Sequence, residues 1–171
     1  MFNFPSISFM RNKIHLLLPL GFLLFLMSCT KEEDLTPPVE TAMKVFASWL
    51  QNDLPSSSTV SDRVRLYITG QPDYFFGSTV TLLDANGVAT TSPYWYRLNG
   101  SLANKELAVP SYNINTQDWL RKPIDTRAPY WTAPYFDSGG GEIWMRTYSV
   151  PIIIGNKVVA VATTDLAVKK P

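Results

Sequence analysis

Residues 142–168 have the sequence EIWMRTYSVPIIIGNKVVAVATTDLAV, the longest β-rich stretch of the chain. It consists of two runs of mostly strand-forming residues on either side of Gly155-Asn156. A two-residue connection of Gly and Asn between hydrophobic runs is a strong β-hairpin signal. We therefore predict two long antiparallel strands, over 142–154 and 157–168, joined by a tight turn.

Asp165 is the one charged residue in the apolar part of the second predicted strand. Strict alternation places it on the same face as Val161 and Thr163. If that face points inward, Asp165 is a buried carboxylate that needs a partner, which a ligand could supply. The alternative is a residue at the end of a strand, bonded to backbone or to an arginine such as Arg146.

The segment before this hairpin also has β character. Residues 78–83 are β-rich and end at Asp84-Ala85-Asn86-Gly87, and Asn-Gly after a hydrophobic run again indicates a hairpin. The remaining predicted elements, in chain order, are strands over 88–91 and 94–98, a loop over 99–110, a short helix or turn over 117–124, an extended segment over 130–136 and a glycine-rich turn over 138–141.

Two helices are predicted before the first strand. Apolar residues recur at helical spacing from Val39 to Leu50, and Pro55 ends the pattern. A second, shorter helix follows over 60–68. The predicted fold class is therefore α+β, with N-terminal helices packed on a central antiparallel sheet of about five strands.

Residues 1–28 have the organisation of a bacterial signal peptide. Arg11 and Lys13 precede an apolar run over 14–27, which is too short to span a membrane comfortably. The run ends in Leu26-Met27-Ser28-Cys29, which resembles the cleavage motif of bacterial lipoproteins. We therefore predict cleavage before Cys29 and lipidation of Cys29; the alternative is an ordinary signal peptide that happens to end before a cysteine.

Residues 29–38 are predicted to form a polar tether that ends in Pro37-Pro38, and 39–171 a single ligand-binding domain. The run Thr30-Lys31-Glu32-Glu33-Asp34 resembles the signal that sends some lipoproteins to the outer face of the outer membrane. The alternative is a solvated tether with no sorting role. In both cases we expect an exported protein of the cell envelope, lipid-anchored to the outer membrane.

Composition excludes several classes of function. The chain has one histidine, His15, and one cysteine, Cys29, so processing as predicted leaves neither a histidine nor a free thiol. This excludes Ser-His-Asp and Cys-His catalysis and His/Cys zinc sites. Fifteen basic and fourteen acidic residues give a net charge of +1, without the basic excess of a nucleic-acid-binding protein. We expect no enzymatic activity, no metal, no cofactor and no nucleic-acid partner.

Six sequence blocks, taken in order, resemble the single Cache domain, the PAS-like extracellular sensor module of bacterial chemoreceptors and sensor kinases. The resemblance implies a helix packed on an antiparallel sheet, with a small-molecule pocket between the sheet and its covering loops. Typical members continue into a transmembrane helix and an output module, whereas this sequence ends at Pro171, so we expect a separate signalling partner protein. The blocks are FFGSTV at 75–80, SPYWYR at 92–97, QDWL at 117–120, YWTAPYFD at 130–137, GGG at 139–141 with TYSVP at 147–151, and VAVATTDL at 159–166.

The resemblance also implies a set of ligand-binding residues. Cache domains that bind amino acids carry a Tyr, an Arg, a Trp, a second Tyr and an Asp in a fixed order. The Arg holds the carboxylate of the ligand through charge-assisted bonds, and a neutral Gln cannot replace that charge. The implied ligand is therefore an amine or a neutral polar molecule rather than an ordinary amino acid. The residues in these five places are Tyr112, Gln117, Trp119, Tyr135 and Asp165.

Two other functions remain open from the sequence. A carbohydrate-binding surface lipoprotein would use exposed tryptophans, so Trp119 and Trp131 on an open face would favour it, and their burial in a closed pocket would favour the sensor. A hydrolase with two carboxylates is the third hypothesis, but no short motif in the sequence pairs two carboxylates.

Overall fold

The computed structural model describes residues 34–171, which form one compact unit. No helix within this part of the chain is long and apolar enough to cross a membrane. The elements are α1 Thr36–Asn52, α2 Val60–Thr69, β1 Phe75–Leu83, β2 Ala89–Thr91, β3 Pro93–Leu98, β4 Ser101–Glu106, a short 3-10 helix Ile114–Thr116, α3 Asp118–Thr126, β5 Tyr130–Trp131, β6 Tyr135–Phe136, β7 Trp144–Ile154 and β8 Lys157–Ala167.

Helix α1 begins three residues earlier than the sequence predicts. Pro37 and Pro38 lie in its first turn rather than in an extended tether. The predicted end of the tether at 38 is therefore wrong. Proline is tolerated in the first turn of a helix because the backbone N–H groups there have no partner within the helix, and because the fixed φ of proline suits a helix.

The two N-terminal helices pack on one face of the sheet. The buried stripe of α1 includes Met43, Phe46 and Leu50, which are almost completely inaccessible to solvent. Phe46 stacks on Tyr67 of α2 with ring centroids 4.0 Å apart. The predicted second helix is confirmed at Val60–Thr69, and the helices bury the apolar side that their periodicity predicts.

The eight strands form one antiparallel sheet, with more strands than the five or so predicted. The order along the sheet is β4-β3-β1-β8-β7-β5, with β2 paired to β1 and β6 paired to β7. The predicted extended segment over 130–136 forms two separate strands, β5 and β6, which both pair with β7.

The prediction of a loop over 99–110 is wrong, because β4 occupies 101–106 and pairs with β3 along its length. Asn99 and Gly100 both have positive φ and make the two-residue turn between these strands. The sequence of β4, SLANKE, lacks strand-forming residues. It is an edge strand, where pairing with one neighbour is enough and a polar, charged sequence is common.

The predicted hairpin of 142–168 is confirmed as β7 and β8. Gly155 and Asn156 have positive φ, and Ile154 pairs with Lys157 directly across the turn. Strand β8 also pairs with β1, so it lies in the middle of the sheet with a neighbour on each side. Alternate residues of β8 consequently face two different environments.

The face of the sheet under α1 and α2 is apolar. The opposite face is covered by the segment from 107 to 141, which includes the 3-10 helix, α3, β5 and β6. The buried residues of the first face include Val80, Ile152, Ala160 and Ala162, and those of the second include Tyr94, Leu107, Tyr112, Trp119, Leu120 and Val161.

Candidate ligand-binding site

A small cavity lies between the second face of the sheet and its covering segment. Its volume is about 10 Å³, which is room for about one water-sized group. Strands β1, β3, β7 and β8 form its floor, and the covering segment forms its roof. The lining residues are Thr79, Tyr94, Leu107, Tyr112, Trp119, Tyr135, Asp137, Thr147, Thr163 and Asp165. We call this space the inner cavity.

The structure brings four of the five sequence-predicted residues, Tyr112, Trp119, Tyr135 and Asp165, to this cavity. The fifth, Gln117, lines a neighbouring cleft of about 340 Å³, where its Nε2 donates a hydrogen bond to the carbonyl of Tyr112 at 3.3 Å. Trp119 and Tyr135 line both spaces and therefore form the wall between them. We call the second space the outer cleft.

Asp165 is a buried carboxylate on the floor of the inner cavity. Its side chain faces the covering segment and is 3% exposed. Thr147 on β7 donates a hydrogen bond to its Oδ1 at 2.7 Å. Arg146, the alternative partner, belongs to the other face of β7 and donates instead to the carbonyl of Thr132. Burial raises the pKa of Asp165 to about 7, against the smaller opposite effect of the Thr147 hydrogen bond.

A chain of hydroxyl groups leads from the wall of the cavity to this carboxylate. The hydroxyls of Tyr135 and Thr147 lie 2.8 Å apart. Because the single hydroxyl proton of Thr147 is used on Asp165, Tyr135 is the donor in this bond. The Thr147 backbone N–H also donates to the Thr132 hydroxyl, at 2.9 Å. Movement of Tyr135 would therefore change the hydrogen bonding of Asp165 through one intermediate.

Tyr94 of β3 places an unpartnered hydroxyl in the same cavity. The residue is 2% exposed, and its hydroxyl makes no hydrogen bond of acceptable geometry. It is still close enough to Asp165 to lower the pKa of that carboxyl slightly. The tyrosine ring crosses Gly77, where any Cβ would collide with it. A buried hydroxyl without a partner costs about 1–3 kcal/mol, so this group is available to a ligand.

Asp137 is the second buried carboxylate of the cavity. Tyr112 donates to its Oδ1 and the backbone N–H of Gly141 to its Oδ2, both at 2.6 Å. Burial raises its pKa, while these bonds and the charge of Lys105 act in the opposite direction. Lys105 itself lies outside the cavity and donates to the carbonyl of Gly140. Both oxygens of Asp137 are thus already used, whereas Asp165 accepts one hydrogen bond, from Thr147, and its carboxyl lies beside the Tyr94 hydroxyl.

Six of the ten lining residues were missed by reasoning from the sequence, and three of these, Asp137, Thr147 and Tyr94, belong to the polar network described above. Asp137 directly precedes the predicted glycine-rich turn and also has a role in it, because its carbonyl accepts the N–H of Glu142. Thr147 lies directly opposite Asp165 because the β7–β8 register shifts between Ile152 and Ile153, whereas an unbroken hairpin would pair Thr147 with Thr164. Tyr94 had no sequence signal beyond its position in an aromatic block.

The lining of the two spaces carries negative charge and no positive charge. Asp137 and Asp165 line the inner cavity and Asp118 the outer cleft, and no lysine, arginine or histidine is among the described residues that line either space. An arrangement of carboxylates and hydroxyls between aromatic walls suits a cation and repels an anion.

The chain belongs to the family of methyl-accepting chemotaxis protein-like first PDC sensor domains, whose model matches residues 64–170. This confirms the resemblance to Cache domains drawn from the sequence and makes the chain a sensor domain of the extracellular, ligand-binding type. No curated protein matches the chain.

Solved structures that match the chain include the extracellular domain of a histidine kinase and the ligand-binding domains of two chemoreceptors. One is the extracellular domain of the histidine kinase soHK1S-Z6, with 26% identity, TM-score 0.65 and coverage of 78% of this chain and 53% of the other. Another is the Campylobacter jejuni chemoreceptor Tlp3 with L-norvaline, with 15% identity, TM-score 0.54 and coverage of 74% and 49%.

The Pseudomonas aeruginosa PAO1 amino acid chemoreceptor PctC, in complex with GABA, matches with 17% identity, TM-score 0.52 and coverage of 77% and 56%. The chain therefore spans about half the length of the solved structures that it matches.

Proposed function

We propose that this chain is an extracytoplasmic sensor-type domain that binds a small amine, with Asp165 as the group that receives the ammonium. The observation that carries the proposal is a buried carboxylate that accepts one side-chain hydrogen bond, from Thr147, in a cavity whose described lining has no cation. A ligand ammonium would supply the missing countercharge, and the unpartnered hydroxyl of Tyr94 would accept a second N–H bond.

The neutral side chain at 117 favours an amine over an ordinary amino acid. The matched receptors bind L-norvaline and GABA, which have both an amino and a carboxylate group. In this chain a ligand carboxylate would meet the amide of Gln117 and the carboxylate of Asp118 in the outer cleft. A neutral polar molecule is the second ligand class that this lining supports, through the hydroxyls of Tyr94 and Tyr135.

Two observations count against the carbohydrate-binding alternative. Trp119 is 3% exposed and forms part of the cavity wall, so it offers no open face to a sugar. The ring of Trp131 packs against Tyr148 and under the guanidinium of Arg146, which lies 4.9 Å from the ring centroid.

Calorimetric titration of the full chain in mild detergent tests the amine proposal, with butylamine, valine and glycerol as ligands. We expect butylamine to bind more tightly than valine. Asp165→Asn should weaken butylamine binding by about 2–5 kcal/mol, because it removes one partner of a buried charge pair. Asp62→Asn, an exposed carboxylate on α2, is the control and should bind like the parent. Equal butylamine affinity of the parent and Asp165→Asn would contradict the proposal. Binding of glycerol but of neither butylamine nor valine would show that the ligand is a neutral polar molecule instead of an amine.

We further propose that the domain is carried on a lipoprotein and passes its ligand state to a separate signalling protein. The support is the predicted cleavage motif ending at Cys29, which lies outside the described residues. Cys29→Ser should release the protein from the membrane fraction and abolish labelling by a fatty-acid analogue. Undiminished labelling of the serine variant would rule out lipidation at this cysteine.

A further inference from the structure

We propose that the ligand is a linear diamine, with one ammonium in the inner cavity and the other in the outer cleft. This rests on the proposed function, since it assigns the far end of an amine whose near end is held by Asp165. The two spaces share the wall formed by Trp119 and Tyr135, and each contains an acidic side chain. A molecule that extends from one to the other meets a carboxylate, then aromatic rings, then a carboxylate.

The inner cavity limits the near end of the ligand to an unsubstituted ammonium. A volume of about 10 Å³ holds about one water-sized group and has no room for methyl substituents. The carboxylate of Asp165 and the hydroxyl oxygen of Tyr94 are acceptors for such a group, whereas a quaternary ammonium has no N–H to donate. The aromatic rings of this site therefore act as walls rather than as a cage for a methylated cation.

The wall between the two spaces suits an unbranched methylene chain. Trp119 and Tyr135 present apolar ring surface, and the Tyr135 hydroxyl is held away by its bond to Thr147. For the methylene chain of the ligand to pass between the rings of Trp119 and Tyr135, residues 130–137 must shift. The strands of that segment, β5 and β6, have two residues each, and between them Thr132 is bonded to the backbone of Thr147 in both directions, so these bonds must adjust as the segment moves.

The outer cleft contains the feature that distinguishes a diamine from a monoamine. Asp118 lies in the first turn of α3, is exposed, and has no hydrogen bond or ion pair through its side chain in the described part of the chain. Gln117 uses its Nε2 on Tyr112, so its Oε1 remains an acceptor. A second ammonium in this cleft would be near a carboxylate and an amide oxygen, and none of the described residues that line the cleft is a cation.

The test compares diaminobutane with butylamine by calorimetric titration of the full chain in mild detergent. We expect the diamine to bind about two- to fivefold more tightly, the gain expected from one exposed ion pair. Raising the salt concentration should remove most of this gain but little of the affinity that both amines owe to Asp165, because exposed charges are screened more than buried ones. A bis-trimethylammonium analogue of diaminobutane should not bind.

Asp118→Asn should lower the affinity for diaminobutane to that for butylamine and leave butylamine binding unchanged. Asp62→Asn is a matched control, because Asp62 is likewise an exposed acidic residue in the first turn of a helix. Both substitutions therefore remove the same favourable interaction with a helix N-terminus. Only the Asp118 variant should lose diamine selectivity.

The possible failures are distinguishable. Equal binding of the two amines by the parent, with Asp165→Asn weakening both, would overturn the diamine proposal and leave the amine-binding function intact. Failure of the parent to bind either amine would overturn the proposed function, and the diamine proposal with it. Tight binding of the bis-trimethylammonium analogue would overturn the assignment of an ammonium to the inner cavity.

Discussion

The two faces of strand β8 differ in what they bury. Ala160 and Ala162 lie under the helices in an apolar core, while Thr163 and Asp165 lie under the covering segment among hydroxyls and carboxylates. The strand is the same and its backbone is paired on both sides, so the difference comes from alternate side chains alone. The comparison indicates that the helix face supplies stability and the other face supplies binding chemistry.

Polar groups are also treated differently on the two faces. Thr164, on the helix face, donates to the sulfur of Met43 and is hydrogen-bonded to the hydroxyl of Tyr67. On the other face, the hydroxyls of Tyr94 and Ser149 are buried without partners. Complete satisfaction is typical of a core selected for stability, whereas unused hydrogen-bonding capacity is typical of a site that awaits a ligand.

The largest effect is expected from Phe46→Ala on the helix face. Removing this fully buried ring leaves a cavity under the helices and should lower the free energy of unfolding by about 3–5 kcal/mol. Urea unfolding followed by circular dichroism measures it. Asp165→Asn on the other face is the comparison and should be neutral or stabilising at neutral pH. If Asp165→Asn lowered the free energy of unfolding as much as Phe46→Ala, the assignment of stability to the helix face and of binding to the other face would be wrong.

The second prediction concerns the pH dependence of stability. The folded state holds the Asp165 proton up to about pH 7, whereas an unfolded Asp releases it near pH 3.9. The folded state therefore binds more protons between these values, and the free energy of unfolding should fall as pH rises from about 4 to 7, by a few kcal/mol. Asp165→Asn should remove most of this slope, with a remainder from Asp137. A slope that persists undiminished in the variant would contradict the raised pKa.

A smaller loss is expected from Gly77→Ala on the binding face. A Cβ at this position collides with the Tyr94 ring, so the tyrosine must move and stability should fall by about 1–3 kcal/mol. Gly70→Ala at the end of α2 is the matched control, since its Cβ would have ordinary contacts and its φ of −81° suits any residue. Thermal unfolding of both variants distinguishes them, and equal melting temperatures would mean that Tyr94 is freely mobile.

The smallest effect is expected from Ser149→Ala, which should not destabilise the protein. Because this hydroxyl is buried and unpartnered, its removal should leave stability unchanged or raise it by up to about 1 kcal/mol. Ser92→Ala is the control, since the Ser92 hydroxyl bonds to Thr79 and Thr81, and it should cost about 1 kcal/mol. Destabilisation by Ser149→Ala equal to that by Ser92→Ala would show that Ser149 has a partner.

Strong local signals account for the parts of the fold that were predicted correctly. The Gly155-Asn156 turn, the Asn86-Gly87 turn and the apolar periodicity of α1 each depend on residues close in sequence. Strand β4 was missed because its polar residues carry no strand signal and its pairing comes from β3. The early start of α1 was missed because two adjacent prolines also suit an extended tether.

The sequence by itself determined the two N-terminal helices, the hairpins at Asn86-Gly87 and Gly155-Asn156, the alternation that places Asp165 with Thr163, and the absence of an arginine at 117. Only the tertiary structure decided that Asp165, Thr147, Tyr94 and Asp137 meet, and that the space they enclose is separated from the outer cleft. The reason is physical: turn chemistry and periodicity are local properties of the chain. Burial, and with it the raised pKa of Asp165, depends on which distant segment covers the face.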